Sequence, residues 1–319
     1  MKRWTPLVAV AMGIASLMAA PEALAEYPDK PIKLIIPFPP GGGTDIVGRV
    51  VADKLTALGW RVVVENKPGA GGTVGMDAAA KSRPDGYTMV LGQTSNLSIA
   101  PSLMASLPYD PIKAFTPITL VDESPLTILV SASSPIKTLG DLVAAAKAQP
   151  GKLLFASPGN ATVSHLTGEL LQRAAGITFT HVPYKGMAQA LPDVISGRAT
   201  FFITSVETAM PQVKSGQLRV IATTGAKRSR ELPDVPTVSE SGFKDFTAVT
   251  WFGIVLPAGA PEPVVKKLTT EITKVLQDPS TKERLGGEVA MGPQAFAATI
   301  KADAEKWGKI VKEAGIKAE

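Results

Sequence analysis

Residues Ile32 to Val51 read IKLIIPFPPGGGTDIVGRVV. An apolar β-rich run, Ile32 to Ile36, is broken by Pro37, Pro39 and Pro40 and bends through Gly41, Gly42 and Gly43. Helical spacing then sets in at Val47, Val50, Val51, Leu55 and Leu58. Glycines lack a Cβ and let a ligand approach the backbone, and Thr44 or Asp45 is the expected N-cap. The first amides of a helix have no internal acceptor, and its dipole is positive at that end, so a strand, turn and helix in this order can form an anion site. The competing reading is a tight strand-to-helix connection and nothing more. One helix dipole stabilises an anion by only about 0.3–1 kcal/mol, or about 2 when partly buried, so a second, facing turn is required.

The chain opens with Lys2 and Arg3, an apolar run from Leu7 to Ala20 and the small-residue triplet Ala23-Leu24-Ala25, the pattern of a cleaved export signal over residues 1–25. Its apolar run is too short to span a bilayer, and no later stretch is long enough either. The composition, 45% hydrophobic and 19% charged, is globular. With no cysteine, disulfides and thiolate chemistry are excluded. The net charge of +5 comes from scattered basic residues with no aromatic-studded basic tract, which argues against nucleic acid as a partner.

The opening grammar repeats. Runs at Arg61–Val64 and Tyr87–Leu91 read as strands, Asn66–Gly75 (NKPGAGGTVG) as a second glycine turn and Met76–Lys81 as a helix. Alternating strands and helices imply an α/β fold with parallel sheets and loops crowded at the carboxyl ends of the strands. Those loops are Phe38–Asp45, Gly69–Thr73 and Gly92–Asn96. Pro125–Val130 reads as a strand leaving this first lobe, after which the pattern starts again: helix Thr138–Ala148, strand Leu153–Ala156, turn Ser157–Ser164, a helix through His165, strand Ile177–Val182, helix Ala188–Ile195 and strand Ala199–Ile203. Leu218–Ala222 is read as returning the chain. The expected division is 26–124 plus 225–319 for one lobe and 125–224 for the other. The remainder reads as helices closing the first lobe, with Trp251 and Phe252 as core or hinge packing.

The turn Ser157–Ser164 (SPGNATVS) supplies the facing site, offering Ser157, Gly159, Asn160, Thr162 and Ser164 to an anion. Two such turns gripping a dicarboxylate would make charge-assisted hydrogen bonds worth about 1.5–3 kcal/mol each. His165 and His181 are the only histidines, too few and wrongly spaced for a metal site. His165 is either a polar residue of the first helical turn or a ligand donor. Ser164 beside His165 is not a nucleophile elbow, and Gly69, Gly71 and Gly75 miss the dinucleotide fingerprint, so neither metal nor cofactor is expected. Tyr184, in HVPYKG, can line a cleft with ring and hydroxyl. Thr94 and Thr204, beside the ends of the strand runs at Tyr87–Leu91 and Ala199–Ile203, complete the candidate contacts.

Taken together, PFPPGGGTD with Arg49, KPGAGGTVG, RPDGYTMVLG, FASPGNATVSHL, HVPYKG and KRSRELPDVPT resemble, in order and over nearly the whole mature chain, the Bug (TctC-like) family of periplasmic receptors of tripartite tricarboxylate transporters. The resemblance implies a two-lobed Venus-flytrap fold of the type II periplasmic-binding-protein class. It also implies a small organic acid between the lobes (a di- or tricarboxylate, an aromatic acid or an amino acid), a monomer, and delivery to a two-subunit membrane permease. Its carboxylate pincers map onto Phe38, Pro39, Gly41, Gly42, Gly43, Thr44 and Asp45, and onto Ser157 to His165. The sequence departs from the family at Ala161-Thr162, where glycine then serine is more usual, and at Met187. A rival expectation is an exported hydrolase of a small carboxylated substrate, working from His165 and Asp45.

Overall fold

The computed structural model describes residues 27–104, 106–285 and 291–316; the export segment, residues 1–25, lies outside them. The first sheet begins with β1 (Ile32–Ile36), whose apolar side chains are buried while Lys33 is exposed, and continues through α1 (Gly43–Ala57), β2 (Val62–Asn66), α2 (Thr73–Ala80), β3 (Thr88–Gln93) and the short α3 (Ala100–Leu103). β4 (Phe115–Ser131) runs for 17 residues. Then come α4 (Leu139–Ala148), β5 (Leu154–Ser157), α5 (Val163–Ala175), β6 (Thr180–Pro183), α6 (Met187–Ile195), β7 (Phe201–Ser205), α7 (Val206–Lys214) and β8 (Leu218–Thr223). The chain closes with β9 (Val249–Pro257), α8 (Glu262–Gln277), α9 (Pro279–Arg284) and α10 (Pro293–Ala314).

Each sheet is built on the parallel strands flanked by helices that the alternation implied, and is mixed at one side. β2-β1-β3 and β6-β5-β7 are parallel triplets, and each is completed by antiparallel strands. β4 belongs to both sheets: its first part pairs with β9 from Phe115 to Pro125, and from Leu126 onward it lies between β7 and β8. Its proline-broken sequence concealed this length. Pro117 stands at a register shift against β9, where a strand tolerates the missing N–H, and Pro125 at the junction between sheets.

β8 does not return the chain, because it pairs with the second half of β4; the return is made by β9, which pairs antiparallel with β3 and β4. The late helices do not all close the first lobe. α8 packs Leu268 and Ile272 under β1 and α1, but α10 spans both cores, placing Phe296 and Ile300 with Trp251 and Val255, and Trp307 and Val311 with Ile128 and Leu142. Trp251 Nε1 donates to Asp303 of α10 at 2.6 Å.

Because Trp307 is 1% exposed within the second core, Trp307→Ala is expected to destabilise the protein by about 3–5 kcal/mol in chemical denaturation.

Candidate functional site

Four helices begin at one cavity between the two sheets, each following a strand whose carboxyl end faces it. The space between the walls, open solvent at its mouth included, comes to about 580 Å³. It is walled by Gly42, Gly43 and Thr44 at the start of α1, Thr162 and Ser164 at the start of α5, Gly186 and Met187 at the start of α6, and Thr204, Ser205 and Thr208 at the start of α7. The N-caps of α1, α6 and α7 make no side-chain hydrogen bond, which leaves amides of their first turns available, although that of Asp45 donates to the Gly42 carbonyl and that of Glu207 to its own carboxyl. Thr44, Ser164 and Thr204 are each 4% exposed and line the cavity, and their hydroxyls have no hydrogen-bond partner among the described residues. Pro39, Phe38, Leu126, Val163 and Phe252 supply apolar wall.

The start of α1 lies two or three residues earlier than the capping residues suggested. Its N-cap is Gly42, not Thr44 or Asp45. Asp45 instead reaches back from the first turn: one oxygen accepts from the Gly41 amide (3.0 Å) and Arg49 Nε (2.9 Å), the other from Asn66 Nδ2 (2.9 Å). Asn66 also donates to the Phe38 carbonyl at 3.0 Å and accepts from Arg49. Burial pushes the Asp45 carboxyl up, but the hydrogen bonds from Arg49, Asn66 and Gly41 outweigh it and hold the group below its usual range. Asp45 thereby fixes the turn that presents Gly42 to Thr44.

The second turn is held from behind. Ser157 Oγ lies 2.7 Å from His181 Nε2 and accepts from the Gly159 amide, while Thr162 caps α5 through the His165 amide. The His165 and His181 rings stack at 4.1 Å, 8° from parallel, and His165 Nδ1 accepts from the Ala161 amide. Burial lowers the His165 pKa to about 4; burial and the neighbouring ring lower that of His181 to about 3. Both are neutral at physiological pH.

The sequence-derived candidates therefore separate. Phe38, Pro39, Gly42, Gly43, Thr44, Thr162, Ser164 and Thr204 line the cavity. Gly159, Asn160 and Tyr184 border an adjoining outer groove, where Tyr184 Oη donates to Asp193. Gly41, Asp45, Ser157 and His165 stand behind the two turns, and Thr94 is buried with its Oγ1 accepting from the Trp251 amide. Gln93, Ser95, Ser205, Thr208 and Thr250, none of them named as a contact from the sequence, also line the cavity, as does Phe252, which the sequence placed in core or hinge packing. Of these, Ser205 and Thr208 repeat the signal of Ser157–Ser164, hydroxyls between an apolar strand and a helix.

The jaws are in contact. Ser95 Oγ accepts from the Val163 amide across the cleft at 3.0 Å, and a methyl at Gly43 would lie 2.6 Å from Ser205 Oγ. Neither Asp45 nor His165, the proposed hydrolase pair, lines the cavity, and among the described residues no cluster of His, Asp or Glu is arranged to hold a metal ion.

A two-sheet molecule clasped over a cavity at its strand ends defines a periplasmic solute-binding protein. Residues 47–316 match the family described as "Tripartite tricarboxylate transporter family receptor" (TctC), and the chain belongs to that family, one of receptors and not of enzymes. It is similar to Protein BugT of Bordetella pertussis, 34% identical with 99% of each chain covered. Among solved structures it resembles R. palustris Rpa4515 with adipate (30% identity, TM-score 0.89, 92% of this chain and 99% of that one). It also resembles MatC of Rhodopseudomonas palustris with bound malate (29% identity, TM-score 0.82, 89% and 100%).

The depressed histidines make acid stability a test of the second turn. The fold prefers both rings neutral, so their contribution is complete above pH 6.5 and is lost as the pH falls toward 4, with a slope of at most about 1.4 kcal/mol per pH unit for each ring. Melting temperatures of the wild type and of His165→Gln/His181→Gln, compared from pH 7 to 4, should show the steeper fall in the wild type.

Proposed function

We propose that this receptor captures a small organic carboxylate between its lobes and delivers it to the membrane permease of a tripartite tricarboxylate transporter. In this reading residues 1–25 direct export to the periplasm and are removed. The lobes change over at Pro125 and Val249, where β4 passes from one sheet to the other and β9 starts its return. Val238, Phe246 and Ala248 pack in the second core, which supports Val249 as the return point in place of residue 225.

The observation that carries the reading is the set of three buried, unpartnered hydroxyls, Thr44, Ser164 and Thr204, at the starts of helices that converge on one cavity. Removing a carboxylate from water costs several kcal/mol. Neutral donors already fixed in place offset it without reorganising, and each charge-assisted hydrogen bond is worth about 1.5–3 kcal/mol. Two solved relatives hold small dicarboxylates, adipate in one and malate in the other.

Thermal denaturation with a panel of C4 to C6 dicarboxylates tests the proposal: a ligand at 100 times its Kd should stabilise the protein by about 2.7 kcal/mol. No shift with any acid would overturn it. Thr44→Val removes one donor and keeps the shape, and should weaken the best acid about 10- to 100-fold in calorimetric titration. Gly43→Val, which drives a side chain into Ser205 and Thr208, should abolish tight binding by keeping the jaws apart.

A further inference from the structure

We propose that Glu207 is a positioning residue that couples solute capture to a proton: as a neutral acid it donates to Ser205 and frees the Ser205 and Thr208 hydrogens for the cavity, and as a carboxylate it draws the Ser205 hydrogen back. The inference rests on the carboxylate reading above and adds a control on the same site. Glu207 lies in the first turn of α7 but does not line the cavity, so it acts only through its neighbours. Ser205 does line it, 6% exposed, with its Oγ 3.0 Å from Thr208 Oγ1. Behind that pair the Glu207 carboxyl is enclosed. Its Oε2 has no hydrogen-bond partner among the described residues, and its neighbours are the Ser205 and Ser124 hydroxyls and its own amide. Ser124 has a single hydrogen and donates it to the Pro125 carbonyl at 3.1 Å, so an ionised Glu207 has Ser205 as its hydroxyl donor. An ionised Glu207 would also set a full negative charge directly behind the wall that an anion must touch.

The surroundings favour the neutral acid. Burial raises the Glu207 pKa, and the charge of Glu231, from the segment between β8 and β9, adds to the rise; the hydrogen bonds from Ser124, Ser205 and its own amide oppose it without cancelling it. Glu231 is itself engaged by Ser229 Oγ at 2.6 Å and Arg230 at 3.4 Å. On β4, the buried Asp122 shares the face of the strand that Ser124 occupies and adds a second carboxyl on that side. The cations of the elements packed on α7 are held elsewhere: on α1, Arg49 by Asp45 and Lys54 by Asp278, and on β8, Arg219 by the Ala132 carbonyl. β7 carries no titratable side chain, and Lys214 is in the last turn of α7.

An anion in the cavity favours the neutral form of Glu207, so binding should take up protons wherever Glu207 is partly ionised in the free protein. Succinate, malate and adipate, titrated calorimetrically into the full mature protein between about pH 6.5 and 9 in buffers of different ionisation enthalpy, test this, because these acids are fully ionised and His165 and His181 are neutral throughout that range. The tightest of the three should bind with net proton uptake, its affinity falling about fivefold or more toward the alkaline end. In Glu207→Gln, which keeps the shape and cannot ionise, both the uptake and the fall should disappear. An acid that binds without proton uptake, or a folded Glu207→Gln variant that keeps the wild-type fall, overturns the inference and leaves the carboxylate reading intact. Failure of all three acids to bind at any pH overturns that reading, and the inference with it. Proton uptake is read on the wild type and decides the matter even where the variant does not fold.

Discussion

The antiparallel pairing of β4 with β9 is the constraint on which the rest of the molecule depends. β4 gives its first half to one sheet and its second half to the other, so neither sheet is complete without it, and β9 rejoins it at Val249–Pro125. The carboxyl ends of β1, β5, β6 and β7 are thereby brought to face one another, with a helix starting at each. α10 ties the same junction from outside, with Trp307 in one core and Phe296 in the other. In the proposed two-lobed reading, Pro125 and Val249, where the two strands cross between sheets, are the place for a hinge.

For the anion site proposed above, the cavity so formed has an unusual electrostatic character, because no charged side chain lines it. In the account developed here, attraction comes from fixed dipoles and hydroxyls. Charged residues act one layer back: Asp45 and Arg49 brace the first turn, and the neutral His165–His181 stack braces the second. Rigid donors lose little on binding and strengthen in a dry cavity. A facing arginine would hold a ligand more strongly and release it more slowly.

Much of this was legible in the chain. Ile32–Ile36 is a strand because it is apolar but for the exposed Lys33 and mostly β-branched, and Thr138 caps α4 because Asp141 completes a reciprocal capping box. The two facing turns were legible because each sets small and hydroxyl residues between an apolar strand and a helix. What remained hidden depends on partners distant in sequence. The role of Asp45 is set by Asn66, 21 residues on. Gln93 and Thr250 meet only because β9 lies beside β3. Local rules also misled where prolines fall within elements: Pro117 and Pro125 concealed β4, and Pro211 lies inside α7, a helix the sequence reading left out.

The most direct test of the central claim is a crystal structure of the protein with a bound dicarboxylate such as adipate. Carboxylate oxygens should lie within about 2.7–3.1 Å of the Thr44, Ser164 and Thr204 hydroxyls and of open amides at the starts of α1 and α7 and at Ser164 of α5, with no charged side chain in contact. An acid seated outside this cavity, or held there by a lysine or arginine, would contradict it.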